Sequence, residues 1–163
     1  MTRVMVAAFV LNLVVAPLVM AEHFDIKLVA AGPDGASQQA FSDTSPPEGG
    51  LNPRPVLKVR AGDRITMQFI MTNVYPHGTA SGAGVHYFVV KERALGQKPV
   101  PALTQDVVAE GTFVLDLKPQ ARIGARQQLV VREAGLYLLR VESQRTQRDH
   151  EHFAAMDLQV VDR

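Results

Sequence analysis

Apolar and polar residues alternate along much of the chain from residue 56 onward. In RITMQFIMT (64–72), Ile65, Met67, Phe69 and Met71 share one side, with Thr66, Gln68 and Thr72 on the other. A period of two belongs to an extended chain whose successive side chains point to opposite faces, so this run predicts a strand with one buried face. GTFVLDLK (111–118) repeats it through Phe113, Leu115 and Leu117, and VHYFVV (85–90) is apolar on both faces, as a central strand is. FDIKLVAA (24–31), QQLVVRE (127–133), GLYLLRVES (135–143) and HFAAMDLQVV (152–161) complete the predicted strands. No stretch has a helical period, and there is no internal repeat. Short strands with turn residues between them predict an all-β sandwich. Residues 32–55 are dense in Gly, Pro, Ser and Asp and predict one long surface loop, of a length at which loops often carry function.

The N-terminus has a different pattern. Thr2 and Arg3 precede an apolar run from Val4 to Val19, broken only by Asn12 and Pro17, and the run closes on the small residue Ala21. A basic start, an apolar segment and a small-residue exit predict a signal peptide over 1–21, leaving one domain over 22–163. The run falls short of the roughly 20 apolar residues of a membrane helix, so no membrane insertion is expected after cleavage. An uncleaved N-terminal anchor is the alternative. The expected location is exported, periplasmic or extracellular.

Composition narrows the picture further. Without Arg3, the 17 basic residues become 16, equal to the 16 acidic ones. A balanced chain without a basic stripe argues against nucleic acid as a partner. The chain contains no cysteine. Lipoprotein anchoring and disulfides are therefore excluded despite the predicted export, and stability must come from the packed core.

AGDRITMQFIMTNVYPHG (61–78) resembles the cupredoxin signature, in which a Gly-Asp turn leads into an alternating strand that ends in Asn, with Pro-His on the next loop. Gly62, Asp63, Asn73, Pro76 and His77 match it in type and approximate spacing. The resemblance covers roughly residues 56–161 and implies a Greek-key, cupredoxin-like β-sandwich in which His77 binds copper at one end. EAGLYLLRV (133–141) resembles the Gly-x-Tyr strand that precedes the cupredoxin copper loop. Where that family has its cysteine, four residues after the tyrosine, this chain has Val141. Without a thiolate no blue-copper site forms. The same Gly-x-Tyr pattern suits the tyrosine corner of an immunoglobulin-like sandwich, which is the alternative fold.

Cupredoxins place a His and then a Met just before the last strand, and here the chain reads DHEHFAAMDLQV (149–160). If the last strand extends back this far, His150 and His152 lie on the side of Ala154, Met156, Leu158 and Val160. The expected metal set is therefore His77, His150, His152 and Met156, holding a copper ion or, second, a zinc ion. His86, Asn73, Asp149 and Glu151 would stand behind these ligands.

Each candidate also has an ordinary reading. His77 suits a turn, and His150 and His152 with Asp149 and Glu151 suit a charged strand entry. His86 shares a face with Phe88 and Val90, so a buried imidazole bonded to backbone is expected there. Met67 and Met71 are core filler. Tyr75 is an isolated loop aromatic that would shield a shallow site or dock a partner, and Arg145 and Arg148 flank Asp149 in an exposed turn. His23 falls one place short of an N-terminal copper clamp.

The chain has no nucleophile elbow, phosphate-binding glycine loop or zinc-protease motif, and Ser143 pairs with the histidines only by closeness in sequence. The expected function is metal binding without a redox relay, for sequestration, delivery or a structural site, and no enzyme activity. A metal-free module that binds a periplasmic protein partner is the rival. A mononuclear copper oxidase using the same histidines is the minor alternative.

Overall fold

The computed structural model describes residues 24–42, 53–98, 100–144 and 152–163. These form β1 (Phe24–Ala31), β2 (Ser37–Phe41), β3 (Val56–Arg60), β4 (Arg64–Asn73), β5 (Ala80–Glu92), β6 (Val107–Leu117), β7 (Arg122–Val130), β8 (Gly135–Gln144) and β9 (Phe153–Val161). The strands build a four-stranded sheet ordered β2-β1-β4-β7 and a five-stranded sheet ordered β3-β9-β8-β5-β6. All pairings are antiparallel except β3 with β9. The described residues contain no helix, so the all-β prediction holds, and the arrangement is sandwich-like.

The alternating pattern decides which side of each strand is inside. Ile26 and Leu28 of β1 and Ile65, Met67, Phe69 and Met71 of β4 are sealed in the core. They join one apolar cluster with Val85 and Val89 of β5, Leu139 and Val141 of β8, and Met156 and Leu158 of β9. Each large side chain buried there contributes about 1.5–3 kcal/mol of transfer free energy. A smaller cluster of Phe88, Val90 and Leu138 lies apart from this core, covered by Leu103 and Val107.

Two predicted turns form as expected from their residues. Asp63 donates its backbone N–H to the Arg60 carbonyl at 3.0 Å and accepts the Arg60 N–H on Oδ2 at 2.9 Å. Gly62 between them has φ +84°, a conformation that penalises any Cβ. The buried Tyr137 donates its hydroxyl to the Glu133 carbonyl at 3.0 Å, the contact of a tyrosine corner.

The structure differs from the sequence reading in several places: Val56–Arg60 forms a further strand, β3, and β5 and β6 begin earlier than the runs at 85–90 and 111–118. Residues 32–55 do not run as a loop throughout, because Ser37–Phe41 pairs with β1 as the edge strand β2. Its five residues bury only Ala40, so the stretch has no alternation to read. The strand read over 127–133 begins earlier, at Arg122, and ends at Val130. The predicted signal peptide, 1–21, lies outside the described residues.

Candidate functional site

Asn73 ends β4 and is completely buried. Its Nδ2 donates to the carbonyls of Gly78 at 2.9 Å, Leu117 at 2.9 Å and Lys118 at 3.2 Å. Its Oδ1 accepts the Tyr75 N–H at 3.0 Å, an Asx turn that starts the loop carrying Pro76 and His77. One amide therefore holds the His77 loop against the turn between β6 and β7. The Tyr75 ring covers Gly78 so closely that a Cβ at Gly78 would fall 2.3 Å from it. His77 itself is exposed.

Phe24, opposite Asn73 in the pairing of β1 with β4, packs edge-on against His152 with ring centroids 6.3 Å apart. His152 is 3% exposed, and its backbone continues the β8–β9 ladder through Ser143, whose N–H meets the His152 carbonyl at 2.8 Å. Ser143 Oγ accepts the His152 N–H at 3.1 Å, so this serine serves the backbone. The His77 loop and His152 thus occupy the same end of the sheets.

Met156 shares His152's side of the chain but sits in the core opposite Leu139. Four residues of extended chain separate the two side chains by about 13 Å, too far to share one ion. His150, Asp149 and Glu151 lie outside the described residues, as do His23, Arg145 and Arg148. Among the described residues, no group of three or more His, Asp or Glu is arranged to hold a metal ion.

His86 is buried as expected, but carboxylates rather than backbone meet its ring. Nδ1 lies 2.9 Å from Glu142 Oε1, and Nε2 lies 2.8 Å from Glu110 Oε1. Gln144 Nε2 stands 3.1 Å from Nδ1 and 3.2 Å from Glu142 Oε1, and its hydrogen belongs to the carboxylate because Nδ1 already faces an acceptor. Arg140 Nε pairs with Glu142 Oε2 at 2.6 Å, and the guanidinium stacks over Phe153 at 4.1 Å. Filling both ring contacts takes two hydrogens, either on an imidazolium or shared between a neutral ring and one protonated carboxyl.

A second buried charge cluster was not anticipated. Arg54 Nη2 donates to both oxygens of Glu92, and Arg54 Nε lies 2.7 Å from Asp157 Oδ1. The latter is a charge contact whose N–H is not aligned for a hydrogen bond. Asp157 Oδ2 accepts the Gly96 N–H at 2.7 Å. Burial pushes the Glu92 and Asp157 carboxyls above their ordinary range, with Arg54 acting against the shift in both and the Gly96 bond against it in Asp157. A cavity of about 510 Å³ opens beside this cluster, lined by Phe41, Arg54, Lys98, Leu138, Arg140 and Phe153 among others.

The members of this cluster stand at 54, 92 and 157, so no local spacing announces them. The available signal was a lone acid in an apolar strand, Asp157 in AAMDLQV, which a fold tolerates only with a partner.

No protein-family profile matches the sequence, and no curated protein is similar to it. Among solved structures, the chain is similar to a family 123 glycoside hydrolase from Clostridium perfringens, studied for glycolipid glycan hydrolysis. The likeness has a TM-score of 0.45 and 9% identity, over 69% of this chain and 24% of that one. The chain thus spans about a quarter of that protein's length, and a likeness this distant carries no functional argument.

Proposed function

We propose that this chain is an exported metal-binding protein of cupredoxin-like, Greek-key architecture, with copper preferred to zinc and no blue-copper centre. The ion is held at the sheet end that bears the His77 loop, by His77, His150 and His152, with water as a further ligand in place of Met156. One observation carries this reading: His152 packs on Phe24, and Phe24 pairs with Asn73, the residue that anchors the His77 loop. Neutral imidazoles suit Cu(II), Cu(I) and Zn²⁺, and the exposed His77 is free to approach solvent-borne metal. The role is sequestration, delivery or a structural site.

The test is calorimetric titration of the full chain with Cu(II) and Zn²⁺, beside a His77→Ala variant. Because His77 is exposed, this substitution leaves the core intact. One-to-one binding by the wild type, weakened at least about tenfold in the variant and with nitrogen couplings in the Cu(II) resonance spectrum, supports the reading. Equal binding by both chains overturns it. The rival reading, a metal-free interaction module, has its own support in the strand edges of β6 and β7.

A further inference from the structure

The two sides of the paired sheets end differently. On one side the edge strands β2 and β3 have five residues each, and β3 follows Pro53 and Pro55 and carries Lys58 and Arg60. Short length, proline and charge are the devices that keep an edge from pairing with another chain. On the other side β6 runs for 11 residues and β7 for nine, and neither contains a proline or a lysine. Among the described residues β6 pairs only with β5 and β7 only with β4, so each has one edge without a strand partner there.

The inner faces along this side are also unfinished. Phe113 and Leu115 of β6 and Ile123 and Ala125 of β7 stay half-buried, whereas the inward rows of β1, β4 and β8 are sealed. Val114 of β6 is 55% exposed. The charges on the two edges are opposite: β6 carries Glu110 and Asp116 with no cation, and β7 carries Arg122 and Arg126 with no acid. Each acid uses one oxygen within the chain, Glu110 on His86 and Asp116 on the Gly82 N–H.

We infer that this side binds a second copy of the chain, β6 of each copy pairing with β7 of the other. β6 and β7 run in opposite directions around the 118–121 turn, and a two-fold axis along the strands preserves direction. The rotation therefore sets β6 antiparallel to the partner's β7 and repeats the contact once more, so the assembly closes at two copies. Each five-stranded sheet then continues into the partner's four-stranded sheet, giving nine strands on each side. The acidic edge meets the basic edge twice, and the half-buried rows at Phe113 and Ile123 become interior.

Sedimentation velocity on the full chain, with chelator present so that metal binding plays no part, tests the inference. A dimer with a dissociation constant of about 1–50 µM is expected. R122E/R126E, at two exposed positions outside the core, should raise that constant at least about tenfold while leaving the circular dichroism of the monomer unchanged. Hydrogen exchange should show amides of β6 and β7 gaining protection as concentration rises. A chain monomeric at about 100 µM overturns the inference. So does a dimer indifferent to R122E/R126E, or one whose β6 and β7 amides gain no protection.

Discussion

Arg54 Nη2 lies 2.8 Å and 2.9 Å from the two carboxylate oxygens of Glu92, a side chain sealed from solvent. The same guanidinium reaches Asp157, so one cation serves two buried acids from different parts of the chain. Removing a partner from such a cluster costs more than the pair contributes, because the remaining charges stay buried and unmatched.

Arg54→Ala is expected to destabilise the fold by about 3–5 kcal/mol at pH 7. Burial already raises both carboxyls above their ordinary values, so the native state holds these protons more tightly than the unfolded state. Their contribution to stability is therefore full below about pH 4 and falls as pH rises through the raised values. Without Arg54 both groups rise further, so the gap between variant and wild type should widen from about pH 4 to pH 7. Urea denaturation at the two pH values measures it.

Tyr137→Phe removes the hydroxyl that caps the Glu133 carbonyl and should cost about 1 kcal/mol at neutral pH. Burial pushes the Tyr137 hydroxyl above its ordinary value of 10.0. The native state therefore keeps a proton that the unfolded chain gives up, and wild-type stability declines as pH rises above about 10. The phenylalanine variant lacks this contribution, so thermal melts at alkaline pH should show the two chains converging.

Asn73→Ala leaves the Gly78, Leu117 and Lys118 carbonyls without their donor. A loss of roughly 1–3 kcal/mol is expected, with faster protease cleavage in the 74–79 loop. Asn73→Asp should be no better tolerated, because it turns an acceptor toward carbonyl oxygens. Guanidinium melts and timed proteolysis report both effects.

His86→Leu strands Glu110 and Glu142 against an apolar side chain, with Arg140 still paired to Glu142. The expected loss is about 1–3 kcal/mol. Combined with Glu142→Gln, the loss should be smaller than the sum of the single changes, since both remove one shared contact. A double-mutant cycle by urea denaturation gives the coupling.

The fold was legible where one side of a strand is buried and the other wet. Ile65, Met67, Phe69 and Met71 announced β4, and the inward side of β9 could be read from Ala154 to Val160. β2 was not legible, since SQQAF at an edge gains its conformation from pairing with β1 rather than from its own pattern. The Asn73 loop was visible as a local motif, yet the three carbonyls that its amide binds were not. His86 was read correctly as buried, but its carboxylate partners come from strands 24 and 56 residues away. Register across a sheet decides such meetings, and a single sequence does not state it.

The position of β9 sets the order in which the fold can be completed. Residues 153–161 lie between β3 and β8, and among the described residues β3 has no other strand partner. Until this stretch has emerged from the ribosome, β3 lacks the strand it pairs with and β8 lacks one of its two neighbours. A chain made from its N-terminus cannot close the five-stranded sheet early, and pairings this distant in sequence form slowly. The five-stranded sheet is therefore completed only once residues 153–161 have been made, whereas the four-stranded sheet contains no strand from that stretch.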